Sequence, residues 1–130
     1  MHRLPSWADF APSTLLLAVA LGAFFCTSAA AQSVQQGMAI YQAKCSACHS
    51  VDESRVGPAH FGVFGRRAGQ TAEYEYSEAL AKSKVVWNKT TLNAWLTDPE
   101  KLIPGQSMGY RLSLAQERAD VIAYLATLKK

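Results

Sequence analysis

Apolar residues fall at helical intervals in three stretches of the chain. Val34, Met38, Tyr41 and Cys45 recur at i, i+4, i+7 and i+11, and Ser33 to Gln36 has the form of a capping box, so a first helix is predicted that ends near Cys45. Asn88 to Thr97 sets Leu92, Trp95 and Leu96 on one face and is stopped by Asp98-Pro99. The last stretch is the clearest. Ser113 and Gln116 repeat the capping-box form, Leu114, Val121, Ile122, Leu125 and Leu128 make one apolar stripe, and Lys129 and Lys130 suit the negative end of a helix dipole. Ser77 to Lys84 has the length of a short helix. Between these, Val51 to Thr71 carries Gly57-Pro58, Gly62, Gly65 and Gly69 at irregular spacing and reads as loop. A loop this long in a small domain usually wraps something. The pattern therefore predicts an all-α fold of about three main helices, with short helices and long loops.

A different pattern occupies the first thirty residues. Leu15 to Phe25 is an uninterrupted apolar run behind a thin basic start at His2 and Arg3, and Ala29-Ala30-Ala31 supplies the small residues of a cleavage site. Residues 1–31 thus read as a secretion signal and 32–130 as the mature domain, with an uncleaved membrane anchor as the alternative. The uncharged segment is at the short limit for a spanning helix and is diluted by Thr27, Ser28 and alanines, which favours cleavage. An exported, soluble, periplasmic protein is expected.

Composition narrows the class. At 130 residues the chain holds one domain, and with 18% charged residues it is neither a disordered polyelectrolyte nor, at an ordinary apolar fraction, a multi-span membrane protein. The net charge is +3. Removing the signal takes Arg3 and Asp9 together and leaves that value unchanged. Because no run of five or six Lys and Arg occurs, nucleic acid is not the expected partner, and an acidic protein surface is the expected complement.

Cys26 lies in the signal, so the mature domain keeps only Cys45 and Cys48, too few for a disulfide framework. The run Cys45-Ser46-Ala47-Cys48-His49 is the CxxCH signature of covalent haem attachment. Two thiols at that spacing can add to the two vinyl groups of one porphyrin, and the adjacent imidazole can turn under the ring to the iron. A thioredoxin-like redox pair would want a preceding strand, and a four-ligand zinc site a second Cys/His cluster; the chain offers neither. For a sixth ligand the mature chain offers Met38, Met108, His60 and several lysines. Met38 sits in the first helix stripe and reads as packing. Met108 follows Ile103-Pro104-Gly105-Gln106-Ser107, a loop free to cross a haem face, and here ligand and gap-filling side chain are both open readings.

Several motifs in order carry a resemblance. Gly37 and Tyr41 precede CSACH; GPAHFGVFGRRAG spans Gly57 to Gly69; Tyr74-Glu75-Tyr76-Ser77, Trp87, DPEKLIPGQSM (Asp98 to Met108) and ERADVIAYL (Glu117 to Leu125) follow. On these the mature chain resembles a small class I cytochrome c, of the type shared by mitochondria and bacterial electron-transport chains. The resemblance implies the cytochrome c fold around one covalent haem c, with thioethers at Cys45 and Cys48, His49 as proximal and Met108 as distal iron ligand. It further implies that Arg66, Tyr76 and Trp87 serve the propionates, that Pro58 offers its carbonyl to His49, and that Gly37 and Tyr41 meet Val121 and Tyr124 where the first and last helices cross. Two carboxylates in an apolar crevice need such donors.

The function implied is monomeric one-electron carriage, without catalysis, between membrane or periplasmic redox proteins with acidic docking surfaces. The alternatives are a cytochrome subunit dedicated to one dehydrogenase, or a haem protein with an exchangeable sixth ligand. By family position Lys44, Lys101 and Arg111 ring the exposed haem edge. The sequence departs from the family in a shorter His49 to Gly57 stretch, in His60 where an apolar residue is usual, in Glu100 within the lysine ring, and in Trp95 where a tyrosine often faces the methionine sulfur.

Overall fold

The computed structural model describes residues 32–129, so the apolar run of Leu15 to Phe25, the cleavage site up to Ala31, and Lys130 lie outside the described residues. Among the described residues five helices follow in order: α1 (Val34–Lys44), α2 (Glu78–Lys82), α3 (Lys89–Thr97), α4 (Pro99–Leu102) and α5 (Ala115–Leu125). Among the described residues there is no strand, only an isolated antiparallel bridge between Arg67 and Val86. Around it Trp87 N–H donates to Arg66 O at 2.9 Å and Ala68 N–H to Val85 O at 2.8 Å, which pins the long loop to the segment before α3. No helix of the described residues is long and apolar enough to cross a membrane.

Local chemistry sets most helix starts. Asn88 caps α3 through a full capping box with Thr91, and Ser77 caps α2. Asp98 ends α3 and at once caps α4, whose first residue is Pro99. The Asp98-Pro99 stop is therefore also a start. Ser33 caps α1 by accepting from Gln36 N–H, but the reciprocal half of that box comes from elsewhere: Ser33 N–H donates to Asp120 Oδ1 on α5 at 2.7 Å.

α5 departs from its sequence reading. It begins at Ala115 with Leu114 at the N-cap and no side-chain cap, Leu114 is exposed, and the helix ends at Leu125, short of Lys129. Ser113 is not the cap because Arg118 reaches back to the carbonyls of Leu112 and Ser113 at 2.8 and 2.7 Å, holding the entry turn by a side chain from inside the helix. Gln116 instead donates to Asp120 Oδ1 at 3.0 Å. Val121, Ile122 and Leu125 are buried as the stripe requires.

The principal helix packing is α1 against α5, and α3 lies on α5 and α4. α1 buries only the second half of the stripe its apolar spacing indicates, together with Gly37. Gly37 and Tyr41 are buried, whereas Val34 and Met38 are 45% and 42% exposed. Met38 is thus not a packing residue. The reason is contact distance: a Cβ on Gly37 would lie 2.0 Å from Asp120 O and 2.9 Å from Tyr124 Cβ, so the two backbones meet only where α1 has no side chain. Gly37→Val must push α1 off α5. We expect a loss of about 3 kcal/mol from overpacking, read as a fall of more than about 10 °C in Tm for a domain of this size.

Candidate cofactor site

α1, α3 and α5 leave a cleft that the Val51 to Thr71 loop and the Ser107 to Tyr110 segment close over. Its volume is about 430 Å³. Leu80, Leu92, Leu96, Val121 and Leu125 supply apolar wall, and Val56, Cys48 and Tyr110, all exposed, mark its open edge. Its size and apolar lining suit a large, mostly apolar guest.

The sequence-predicted residues Cys45, Cys48, His49, Arg66, Tyr76, Trp87 and Met108 all line this one cleft. Cys45 follows the last turn of α1 as its C-cap, with its N–H bonded to Tyr41 O, and the next turn brings Cys48 and His49 round: both Cys48 and His49 donate N–H to Cys45 O. Burial pushes the Cys45 thiol up to about 11, against a smaller opposing effect of Lys44. That is the reverse of the low-pKa, electropositive setting of a redox dithiol.

His49 is fixed on two sides. Its Nδ1 donates to Pro58 O at 2.9 Å, since a carbonyl can only accept, and in the neutral ring this leaves Nε2 as the lone-pair nitrogen. Burial lowers the His49 pKa, and the Pro58 bond works against that. Gly57 lies against the ring: a Cβ there would stand 2.2 Å from His49 Cε1. His60, which the sequence marks as out of pattern and offers as a candidate sixth ligand, stacks on His49 with ring centroids 4.2 Å apart and planes at 20°. Its Nδ1 is 3.0 Å from Tyr41 Oη. Burial, then the neighbouring His49 and Arg66, take its pKa down to about 3, so it is neutral at ordinary pH.

Three donors gather in the same cleft. Arg66, half-buried, donates to Phe61 O and Ala59 O at 2.8 and 3.0 Å, which leaves guanidinium N–H groups for a guest. Burial lowers its pKa and Tyr76 opposes that. Tyr76 Oη accepts from Thr71 N–H at 3.3 Å. Trp87 is buried edge-to-face on Trp95, with centroids 5.3 Å apart. Next to them Thr71 Oγ1 is buried with no partner among the described residues. Apolar walls, two thiols beside a lone-pair imidazole and a group of polar donors fit an iron porphyrin with its two propionates.

Met108, half-buried, reaches the cleft from the loop after α4. Glu100 braces that loop by accepting from Gly105 N–H at 2.9 Å and Gln106 Nε2 at 3.3 Å, and Gln106 Oε1 accepts from Met108 N–H. The acidic residue that breaks the expected lysine ring therefore holds the methionine loop. That ring is further reduced. Lys44 Nζ lies 2.7 and 2.8 Å from the two carboxylate oxygens of Glu117, and Arg111 is paired to Asp98 at 3.0 Å.

Comparison with known proteins gives a consistent answer. Residues 34–129 match the family model for cytochrome c. The chain is 44% identical over 96 residues to cytochrome c of Sesamum indicum, covering 71% of this chain and 86% of that protein. With cytochrome c2 of Rhodopila globiformis it shares 42% identity over 97 residues, 72% of this chain and 92% of the other. The solved structure of cytochrome cH from Methylobacterium extorquens superposes with a TM-score of 0.70 at 38% identity, covering 73% of this chain and 98% of that one.

Proposed function

Because the chain belongs to the cytochrome c family and is a class I electron carrier holding covalent haem c, we propose that it works in the periplasm as a soluble, monomeric shuttle between membrane or periplasmic redox proteins. One observation carries the ligand assignment: Cys45, Cys48, His49 and Met108 line a single cleft although Met108 is far from the others in sequence. Cys45 and Cys48 hold the group, His49 Nε2 and the Met108 sulfur are the iron ligands, Arg66 neutralises the propionates, and Tyr76 and Trp87 hydrogen-bond them. When bound, haem c supplies reversible one-electron exchange at iron.

The chain's part is to keep the surroundings the same in both redox states. Pro58 O strengthens His49 as a donor through Nδ1–H. A soft thioether favours the reduced ion, and apolar walls disfavour the extra positive charge of the oxidised one, so both raise the potential. Residues 1–31 act as the export signal and are removed after Ala31. The test is the intact mass of the exported protein together with its spectrum: one haem that resists acid acetone, a chain starting at Gln32, and a low-spin spectrum with the weak near-infrared sulfur-to-iron band are expected. Extractable haem would overturn the assignment of Cys45 and Cys48, and retention of residues 1–31 would make the carrier an anchored one.

Docking to an acidic partner is weakly steered, because Lys44 and Arg111 already face carboxylates and exposed charges act over only about 8 Å at physiological ionic strength. Lys101 is the exposed cation of the ring with no ion pair among the described residues. The bimolecular rate with the membrane partner should fall with salt. Lys101→Glu should slow it several-fold at low salt, and Lys44→Ala much less. A rate flat in salt would assign recognition to the apolar edge at Val56 and Tyr110.

A further inference from the structure

From the packing around His49 we infer that His60 is the positioning residue of the proximal ligand, clamping the His49 imidazole in one rotational setting from the face that Pro58 and Gly57 leave open. The inference rests on His49 being an iron ligand. Pro58 O fixes one atom of the ring, Nδ1, and a hydrogen bond through one atom still lets the plane rock about it. Two flat contacts stop the rocking. Backbone at Gly57 closes in where a Cβ would stand 2.2 Å from Cε1, and the His60 ring lies nearly parallel at 4.2 Å.

A side chain can clamp only if it is itself held, and His60 is held from several directions. Its backbone N–H donates to Ser50 O at 3.0 Å, directly after the attachment motif. Its Nδ1 meets Tyr41 Oη at 3.0 Å, and the Tyr41 ring also touches it edge-on with centroids 5.6 Å apart. Tyr41 is anchored in turn against Tyr124 at 5.3 Å, at the α1 and α5 crossing. The α1 and α5 crossing is thereby connected through Tyr41 and His60 to the ligand plane. An aliphatic side chain at 60 could fill the space, but it would offer neither a parallel face nor a hydrogen-bond anchor.

A stacked, polarisable imidazole also favours the extra positive charge that the ligand shares when the iron is oxidised. His60 therefore lowers the potential relative to an aliphatic residue.

The test uses holoprotein of wild type, His60→Leu, His60→Phe and Tyr41→Phe. The readouts are the paramagnetic shifts of the haem methyls in the ferric state, which report the orientation and rocking of the axial imidazole plane, and the midpoint potential. His60→Leu should reorder or compress the methyl shifts, steepen their temperature dependence and raise the potential. His60→Phe keeps a flat face and should stay nearer the wild-type shift pattern. Tyr41→Phe removes only the tether and should move the shifts in the same direction by less. If the His60 variants do not assemble, Tyr41→Phe decides. Shifts and potential unchanged in every variant that assembles would overturn the inference while leaving the ligand set intact. A wild-type spectrum lacking an axial histidine would instead overturn the reading beneath it.

Discussion

Replacing Met108 by alanine should abolish the near-infrared sulfur-to-iron band, open the iron to carbon monoxide and lower the midpoint potential. The potential should drop by well over the 59 mV that corresponds to a tenfold change for one electron, because the thioether is what favours the reduced ion at the sixth position. Met38→Ala should leave all three properties in place, since Met38 lies on the exposed side of α1 and does not line the cleft. Redox titration and spectra of the two variants decide. A Met108→Ala protein that keeps the band would remove Met108 from the ligand set, and loss of the band in Met38→Ala would move the ligand to the first helix. His60, stacked on His49 and bonded to Tyr41, is on the proximal side and should not substitute.

Gly57→Ala should be almost as damaging, although it adds one methyl group. That methyl would stand 2.2 Å from Cε1 and 2.6 Å from Nδ1 of His49, where no real contact exists. Either the imidazole swings off Pro58 or the Gly57-Pro58 turn moves, and the turn is itself tied to the attachment motif by Gly57 N–H to Cys48 O at 2.9 Å. We expect poor haem incorporation, a partly high-spin spectrum in what does assemble, and a loss of about 3 kcal/mol from overpacking. Gly109→Ala is the control, because a Cβ there meets nothing within 4 Å. Equal holoprotein yield and melting temperature for the two would show that the loop yields without cost.

Some of the fold was legible because its causes are local. Asn88, Ser77 and Asp98-Pro99 set helix starts and stops within four residues, and CxxCH states its chemistry in five. Helical period alone, however, says that a face is apolar without saying which face is inside. In α1 Val34 and Met38 stay half in water while Gly37 sits at the α5 crossing, the point where the absence of a side chain lets the two backbones approach closely. In α5 the capping residues at Ser113 and Gln116 lost to Arg118 and Asp120, which find their partners by reaching back over the turn and across to Ser33.

The sequence by itself determined the attachment motif and the helical class, since both are written in spacing along the chain, whereas Arg66, Tyr76, Trp87 and Met108 were joined to them only by the resemblance of whole motifs in order. Only the tertiary structure decided how those residues are held and charged. Lys44 reads as a free docking charge until Glu117, 73 positions away, is found at 2.7 Å. Glu100 reads as a break in a basic ring until the Met108 loop folds back onto its carboxylate. His60 reads as an oddity until its ring lies on His49. Each of these depends on two groups that chain folding alone brings together, and the energy of such a pair depends on separation and burial, which no local pattern encodes.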